Sequence, residues 1–305
     1  MGDRMKLNNS KPICEKYEFT GEIRVWQVTS FDRARVLYRI RRCSDGLIGG
    51  WIESPANLAF DGDCFVYDDA KVYDNARVCG DAKVTGKALV YGNAEISGYC
   101  EIKNKAEVLE NAEVSGKAYV ADETKIYGSA VVTDEAKILG YAKICEKAEV
   151  SARAKVSDYA EVFGTSVITD DAHVYDNAKV HGNTRIESKA LVIDSCDIKG
   201  NTVVRGTVQG CAVIEGTVYI GETSVIGGSS VIRGDVLSGA QIRGNITVEP
   251  GVSVKNAKIN GNGTIRTPIT YNGNVFIEGD NIYYNDKFSI GSLEYLEHYL
   301  KSERK

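Results

Sequence analysis

The stretch AKVYDN-ARVCGD-AKVTGK-ALVYGN-AEISGY, residues 70–99, repeats a unit of six residues that decides the fold. In each unit a small residue is followed two positions later by valine or isoleucine. Apart from Leu58 at its start, this pair returns without interruption as far as Thr207, over about twenty-five hexads. Residues two apart in a strand share a face, so both apolar positions point inward and their neighbours point outward. The array therefore predicts a repetitive β-structure with a narrow apolar interior.

The unit resembles the hexapeptide repeat of the left-handed parallel β-helix. The chain before the array, with LYRIR at 37–41 and GGWIES at 49–54, is similar to uncharacterised bacterial and phage-encoded hexapeptide-repeat proteins, which are loosely labelled acetyltransferases. This resemblance covers roughly residues 35–207. It implies an all-β fold in which three hexads form one triangular coil of eighteen residues. Gly, Asp and Asn tolerate the backbone angles that the corners need.

The pattern divides the chain into an N-terminal β cap at 1–57, a left-handed β-helix at 58–265, and a C-terminal segment of strands and an amphipathic helix at 266–305. In the cap, YEFTGEIRVWQV and RVLYRIRRC alternate like short antiparallel strands and would cover the open first coil. The hexad rhythm slips by two residues at VQGC, 208–211, and again at VLSG, 236–239. Two tightened corners are therefore predicted late in the array.

Residues eighteen apart in such a fold lie above one another at about 4.8 Å, so outward residues form columns. One column, aromatic or apolar over most of roughly 29 Å, consists of Tyr73, Tyr91, Leu109, Tyr127, Cys145, Phe163 and His181. Two hypotheses are open for this aromatic column. It is either a surface for self-association or for another protein, or a stack of side chains that stabilises the coils themselves.

Two further patterns concern packing. Asparagine recurs at one corner, which predicts amide hydrogen bonds along the stack; the residues are Asn75, Asn93, Asn111, Asn183 and Asn201. The sequence SLEYLEHYLKSERK at 292–305 predicts a short helix. Its apolar side, formed by Leu293, Leu296 and Leu300, is expected to pack on the end of the β-helix or on a neighbouring subunit.

An enzymatic alternative comes from the resemblance. Many hexapeptide β-helices are acyl-coenzyme A transferases, which implies a trimer with active sites between subunits, a general-base histidine and a loop excluded from the coils. His173 and His181 are the only histidines of the array, and neither lies beside an insertion. His181 is the better candidate because Phe163 precedes it in the aromatic column. The lack of an excluded loop in the hexads argues against catalysis, and coenzyme A is implied as a cofactor only under this alternative.

Net charge and cysteine spacing narrow the remaining classes of function. The net charge of −5 comes from interspersed residues rather than blocks, which makes nucleic-acid binding an unfavoured role. The arginines of the cap could face a nucleotide, a weaker alternative, or form the solvated face of a strand; they are Arg33, Arg35, Arg39, Arg41 and Arg42. No CxxC or Cys/His spacing predicts a metal site among the 8 cysteines. No leader or membrane-spanning run is evident, so reduced thiols in a cytoplasm are expected.

Taken together, the sequence favours a non-enzymatic cytoplasmic scaffold that binds protein and self-associates as a trimer or dimer. The resemblance further suggests a phage or prophage factor that engages a host protein. Neither a cofactor nor a metal is expected for this function.

Overall fold

Each two-residue strand of the array ends at an inward valine or isoleucine. Each strand pairs in parallel with the strand one coil later, for example through Glu101 and Tyr119. The computed structural model describes residues 16–27, 33–266, 270–279, 281–284 and 288–290. These residues form a parallel β-solenoid of about twelve coils. The predicted fold class, an all-β left-handed parallel β-helix with triangular eighteen-residue coils, is confirmed.

The solenoid begins with three longer strands and one turn of 3-10 helix. They are β1 Tyr17–Trp26, β2 Arg35–Arg42, β3 Ile48–Ile52 and the helical turn Pro55–Asn57. The regular array then follows as β4 Phe65–Val66, β5 Lys71–Val72, β6 Arg77–Val78, β7 Lys83–Val84, β8 Leu89–Val90, β9 Glu95–Ile96, β10 Glu101–Ile102, β11 Glu107–Val108, β12 Glu113–Val114, β13 Tyr119–Val120, β14 Lys125–Ile126, β15 Val131–Val132, β16 Lys137–Ile138, β17 Lys143–Ile144, β18 Glu149–Val150, β19 Lys155–Val156, β20 Glu161–Val162, β21 Val167–Ile168, β22 His173–Val174, β23 Lys179–Val180, β24 Arg185–Ile186, β25 Leu191–Val192 and β26 Asp197–Ile198. Its last part comprises β27 Asn201–Val204, β28 Thr207–Val208, β29 Val213–Ile214, β30 Thr217–Ile220, β31 Val225–Ile226, β32 Val231–Ile232 and β33 Asp235–Val236.

Every third strand lies on the same side of the triangle. Face 1 starts with β4, face 2 with β5 and face 3 with β6. The inward side chains of all three faces meet on the axis, where residues such as Ile138 and Ile144 are fully buried. The alanines between them are buried as well, because only a small side chain fits near a corner.

The regular corners use left-handed backbone at one residue each, for example Asp134 with φ 58° and Asp170 with φ 58°. Aspartate tolerates this region because its short side chain finds a nearby backbone partner. Here Asp134 accepts a hydrogen bond from the N–H of Ala152 one coil later, at 2.9 Å. The corners are therefore tied together along the stack.

The predicted asparagine hydrogen bonds are confirmed along the same direction. The Asn75 amide donates to Asn93 at 3.0 Å, and Asn93 donates to Asn111 at 2.9 Å. Asn183 donates to Asn201 at 2.6 Å. Exposed amides thus pair with their equivalents one coil away, as in other parallel stacks of identical side chains.

Two corners are two residues shorter than a regular corner, but not where the sequence rhythm places them. Arg185 pairs with Val203, eighteen residues on, whereas Leu191 pairs with Thr207, sixteen residues on. The missing residues therefore belong to the corner at 205–206, and a second short corner lies at 233–234. The predicted positions, 208–211 and 236–239, were wrong by a few residues because a phase change becomes visible in the sequence only after the next complete hexad.

Strands β1, β2 and β3 extend face 2 beyond the first coil. β1 and β2 pair antiparallel, β2 pairs antiparallel with β3, and β3 pairs in parallel with β5 through Trp51 and Lys71. The predicted antiparallel cap strands are thus present. The far end of β1–β2 folds back over the outside of face 2, where Leu37, Trp51 and Tyr73 form a separate buried cluster.

Asp69 holds this cap to the array. Its carboxylate accepts from Arg24 at 2.6 Å, from the Trp51 indole at 3.0 Å and from Lys71 at 3.0 Å. Burial would raise the pKa of Asp69, but the hydrogen bonds from Lys71 and Arg24 outweigh it and lower the pKa. Burial lowers the pKa of Lys71, whose side chain is 3% exposed and whose ammonium lies 4.4 Å from the centre of the Trp26 ring.

The C-terminal strands are β34 Gln241–Val248, β35 Ser253–Ile265, β36 Thr270–Gly279, β37 Asn281–Tyr284 and β38 Phe288–Ile290. β34, β35 and β36 continue the parallel stack, and β37 and β38 add antiparallel hairpins. The predicted C-terminal strands are thus present. The predicted helix at 292–305, with Leu293, Leu296 and Leu300, lies outside the described residues. The segment boundaries at 57 and 265 stay predictions.

Cysteines only partly follow the sequence-based expectation. Among the described residues, Cys64, Cys100 and Cys196 are free, in agreement with the expected reduced thiols, and they are buried at small inward positions. Burial raises the pKa of Cys100 and of Cys196 to about 12, so both thiols are protonated and inert. Cys43 is disulfide-bonded, which the expectation of reduced thiols did not include.

Replacing Asp69 by alanine is expected to loosen the cap selectively, because it leaves the buried Lys71 ammonium without its carboxylate. The expected loss is about 1–3 kcal/mol, as for other unsatisfied buried groups. Trp26 and Trp51 are the two tryptophans of the chain, so their fluorescence in a denaturant titration reports on the cap alone. The exposed Asp63→Ala variant is the matched control. Identical emission curves for Asp69→Ala and wild type would contradict this role.

Candidate functional site

The aromatic column lies on the outside of face 2, as predicted, but its first member is not accessible. Tyr73 is fully buried under Leu37 and Trp51 of the cap, and the Arg35 guanidinium lies 5.1 Å from its ring centre. Burial raises the pKa of the Tyr73 phenol well above its usual range. Tyr73 therefore does not contribute to an exposed surface, because the cap folds over the first coils of this face.

Further along, the column consists of side chains that contact each other from coil to coil. The rings of Tyr73 and Tyr91 stack at 4.9 Å, and those of Phe163 and His181 at 4.6 Å, each pair within 7° of parallel. A hydrogen bond with Cys145 raises the pKa of Tyr127 to about 12. The ring faces are thus already used inside the chain, and Cys145 is 9% exposed.

The two candidate histidines have different surroundings. His181 is half-buried, stacked on Phe163, and its Nε2 lies 2.8 Å from Asp197 Oδ1 on the neighbouring coil. A carboxylate in this position can orient an imidazole for general-base work. His173 is exposed on face 1, where it pairs through its backbone with Lys155 and Leu191. The structure does not bring the two histidines together.

Beyond His181 the aromatic column becomes a ladder of charges, which sequence reasoning missed. Its members are Asp197, Lys199, Glu215, Arg233 and Glu249. Lys199 lies 3.3 Å from Asp197 and 3.4 Å from Glu215, and Arg233 lies 2.7 Å from Glu215 and 3.5 Å from Glu249. Hydrogen bonds from Arg233, and less strongly from Lys199, lower the pKa of Glu215. A constant spacing of eighteen residues does not place these charges in one column. Both short corners lie within the ladder and change the spacing from eighteen to sixteen residues.

The ladder should contribute to the free energy of unfolding at neutral pH and lose this contribution in acid. The pKa of Glu215 is lower in the folded chain than in the unfolded chain, so its stabilisation is present above the unfolded pKa and is lost as pH falls through the folded pKa. Glu215→Gln should lower stability by less than about 1 kcal/mol at pH 7, since the pair is partly exposed. The deficit should vanish when urea unfolding is repeated at acid pH. The exposed Glu113→Gln is the control, and a deficit that persists at acid pH would refute the assignment.

Four of the five arginines of the cap bind carboxylates of the same chain. Arg35 contacts Asp74 at 2.6 Å, Arg39 contacts Glu22 at 3.2 Å, and Arg42 contacts Asp45 at 2.6 Å. Arg41 pairs with Glu18. Hydrogen bonding to Arg42 lowers the pKa of Asp45 to about 2. These contacts favour a structural role for the cluster over the binding of a phosphate group.

The first short corner makes a notch on the edge between faces 3 and 1. At its side Glu187 is 8% exposed and binds both Arg185 and Arg205. Burial would raise the pKa of Glu187, but the two guanidiniums lower it, so the carboxylate stays ionised and unsuited to donate a proton. The Ser188 hydroxyl reaches Glu222 across the notch at 3.3 Å. Glu187 and Ser188 thus bind polar groups of the coils that follow.

The outer surface of the cap has many exposed apolar side chains. Eight of the eleven exposed large hydrophobic side chains among the described residues lie in or next to the cap, between Phe19 and Phe60. Ile23 is 64% and Val25 is 70% exposed. The sequence did not reveal this patch because strand alternation alone cannot say which side of a terminal hairpin faces the solenoid.

No protein-family model matches the sequence, and no curated protein matches it either. Within the described residues, no group of three or more His, Cys, Asp or Glu side chains is arranged to hold a metal ion. The same residues include no helix long and apolar enough to cross a membrane.

Proposed function

We propose that this protein is a rigid, non-enzymatic scaffold that binds protein and associates with itself. The observation that carries the proposal is the unbroken stack of coils, in which every strand from β7 to β33 pairs with strands on both neighbouring coils. Such a stack holds its outward side chains at fixed spacing and has little freedom to close around a substrate. A cytoplasmic phage or prophage factor acting on a host protein remains part of the proposal.

Within this proposal the aromatic column stabilises the solenoid rather than forming its contact surface. Tyr91→Glu combined with Tyr127→Glu should remove ring and hydroxyl contacts along face 2 and introduce charge among half-buried groups. The melting temperature should fall by several degrees, while the mass from light scattering should stay that of wild type. Tyr141→Glu with Tyr159→Glu, a stacked and exposed pair on a corner, is the control for two added charges. A drop in mass specific to the first variant would make the column an interface instead.

An acyl-coenzyme A-dependent transferase is the second candidate, because His181 has both a stacked ring and the carboxylate of Asp197. Under the scaffold proposal, coenzyme A and acetyl-coenzyme A at millimolar concentration should leave the melting temperature unchanged. A saturable rise that Asp197→Asn or His181→Ala reduces would favour the transferase. The nucleotide-binding alternative has weaker support, since the cap arginines contact carboxylates.

A further inference from the structure

A lysine side chain contacts one of the buried thiols at the N-terminal end. The Lys16 Nζ donates to the Cys64 sulfur at 3.0 Å and to the Ala59 carbonyl at 2.7 Å. Cys64 is fully buried, whereas Lys16 is half-buried. The two residues are 48 positions apart in the chain. Their contact therefore connects the start of the cap to the first coil.

Contacts of the neighbouring residues hold the amine and the thiol together. The Lys16 carbonyl accepts from the N–H of Cys43 at 2.9 Å. The ring of Tyr17 stacks on the ring of Phe60 at 5.0 Å, and the Tyr17 hydroxyl donates to the Pro55 carbonyl at 3.5 Å. The approach of Lys16 to the first coil thus does not depend on the amine itself.

Cys100 occupies the same inward position two coils later and shows what is particular to Cys64. The Cys64 thiol donates to the Val78 carbonyl at 3.5 Å. The Cys100 thiol donates to the equivalent Val114 carbonyl at 3.7 Å, and no described amine contacts it. The strand after Cys100 pairs with a described strand on both sides, whereas β4 after Cys64 pairs on one side only. Cys64 also directly follows the exposed residues 60–63, so a small oxidant has to displace less of the fold to reach it.

Oxidised sulfur is already present beside this pair, because Cys43 is disulfide-bonded and its N–H binds Lys16. We propose that Lys16 and Cys64 form a reversible covalent cross-link on oxidation, a sulfenamide bond between Nζ and Sγ. The bond fastens the start of the cap to the first coil. This modification is independent of the proposed scaffold function and of any partner.

The cross-link requires a peroxide and forms in two steps. Hydrogen peroxide takes two electrons from the Cys64 sulfur, which becomes a sulfenic acid, and one water is released. A sulfenic acid condenses with a nearby nitrogen. The Lys16 ammonium gives one proton to solvent, its nitrogen attacks the sulfur, and the sulfenic hydroxyl leaves as a second water with another amine proton. Two equivalents of an external thiol reverse the reaction, because they form a disulfide with each other and restore the amine and the Cys64 thiol.

Peptide mapping tests the bond directly. The chain is treated with hydrogen peroxide, its free thiols are blocked with iodoacetamide without reductant, and its peptides are weighed by mass spectrometry. A linked pair that contains Lys16 and Cys64 should appear, lighter by two hydrogen atoms than the sum of its parts, and dithiothreitol should separate it. Cys100 should stay unlinked. Recovery of Cys64 only as the blocked thiol or as an unlinked sulfinic acid would overturn the inference.

Lys16→Arg is the matched variant, because a guanidinium keeps the positive charge and stays protonated. It should give no linked pair. In a denaturant titration without reductant, peroxide should move the tryptophan transition of wild type to higher denaturant concentration, since the cross-link restricts the unfolded chain. The same treatment should leave the transition of Lys16→Arg unchanged, and the Cys43 disulfide is present in every sample. An equal shift in Lys16→Arg would assign the effect to another site and overturn the role of this pair.

Discussion

The structure depends on one backbone interaction, the hydrogen bond from each coil to the next. In the array, the N–H of residues such as Cys145 and His181 donates to a carbonyl one coil later, at 3.0 Å and 2.9 Å. These bonds require the strands of successive coils to stay in register, and coils with the same inward positions keep them so. A small residue and a β-branched residue in every hexad meet that requirement, because they fill a triangular interior without voids.

Stacking in register also decides what the surface looks like. Each outward side chain lies next to its counterparts one coil away, so residues of one kind form columns: asparagines donate to asparagines, rings stack on rings, and carboxylates face ammonium or guanidinium groups. Most of these contacts are made within the chain itself. A column on this solenoid is therefore weak evidence for a binding surface until its exposure is known, as buried Tyr73 demonstrates.

The ends and the short corners are the places where the stacking rule is interrupted. The corners at 205–206 and 233–234 are each two residues shorter than a regular corner. Neighbouring charges there, such as Glu187 and Arg205, nevertheless bind each other. At the N-terminal end, β1 pairs with β2 alone among the described strands, and several of its apolar side chains are exposed. Most of the exposed large apolar side chains among the described residues therefore lie at this end rather than along the regular faces.

The sequence by itself determined the array and its inward residues through the strict period of six, and the resemblance of the hexad to the left-handed β-helix repeat implied the coil of eighteen residues. It also determined the asparagine hydrogen bonds, which follow from the same period. Only the tertiary structure decided that the cap buries Tyr73, that Asp69 joins Lys71 to Arg24, and that Lys199, Glu215 and Arg233 form one ladder. The reason is physical: a repeat specifies contacts between coils, whereas the folding back of a terminal hairpin and a change of coil length depend on contacts that no period encodes.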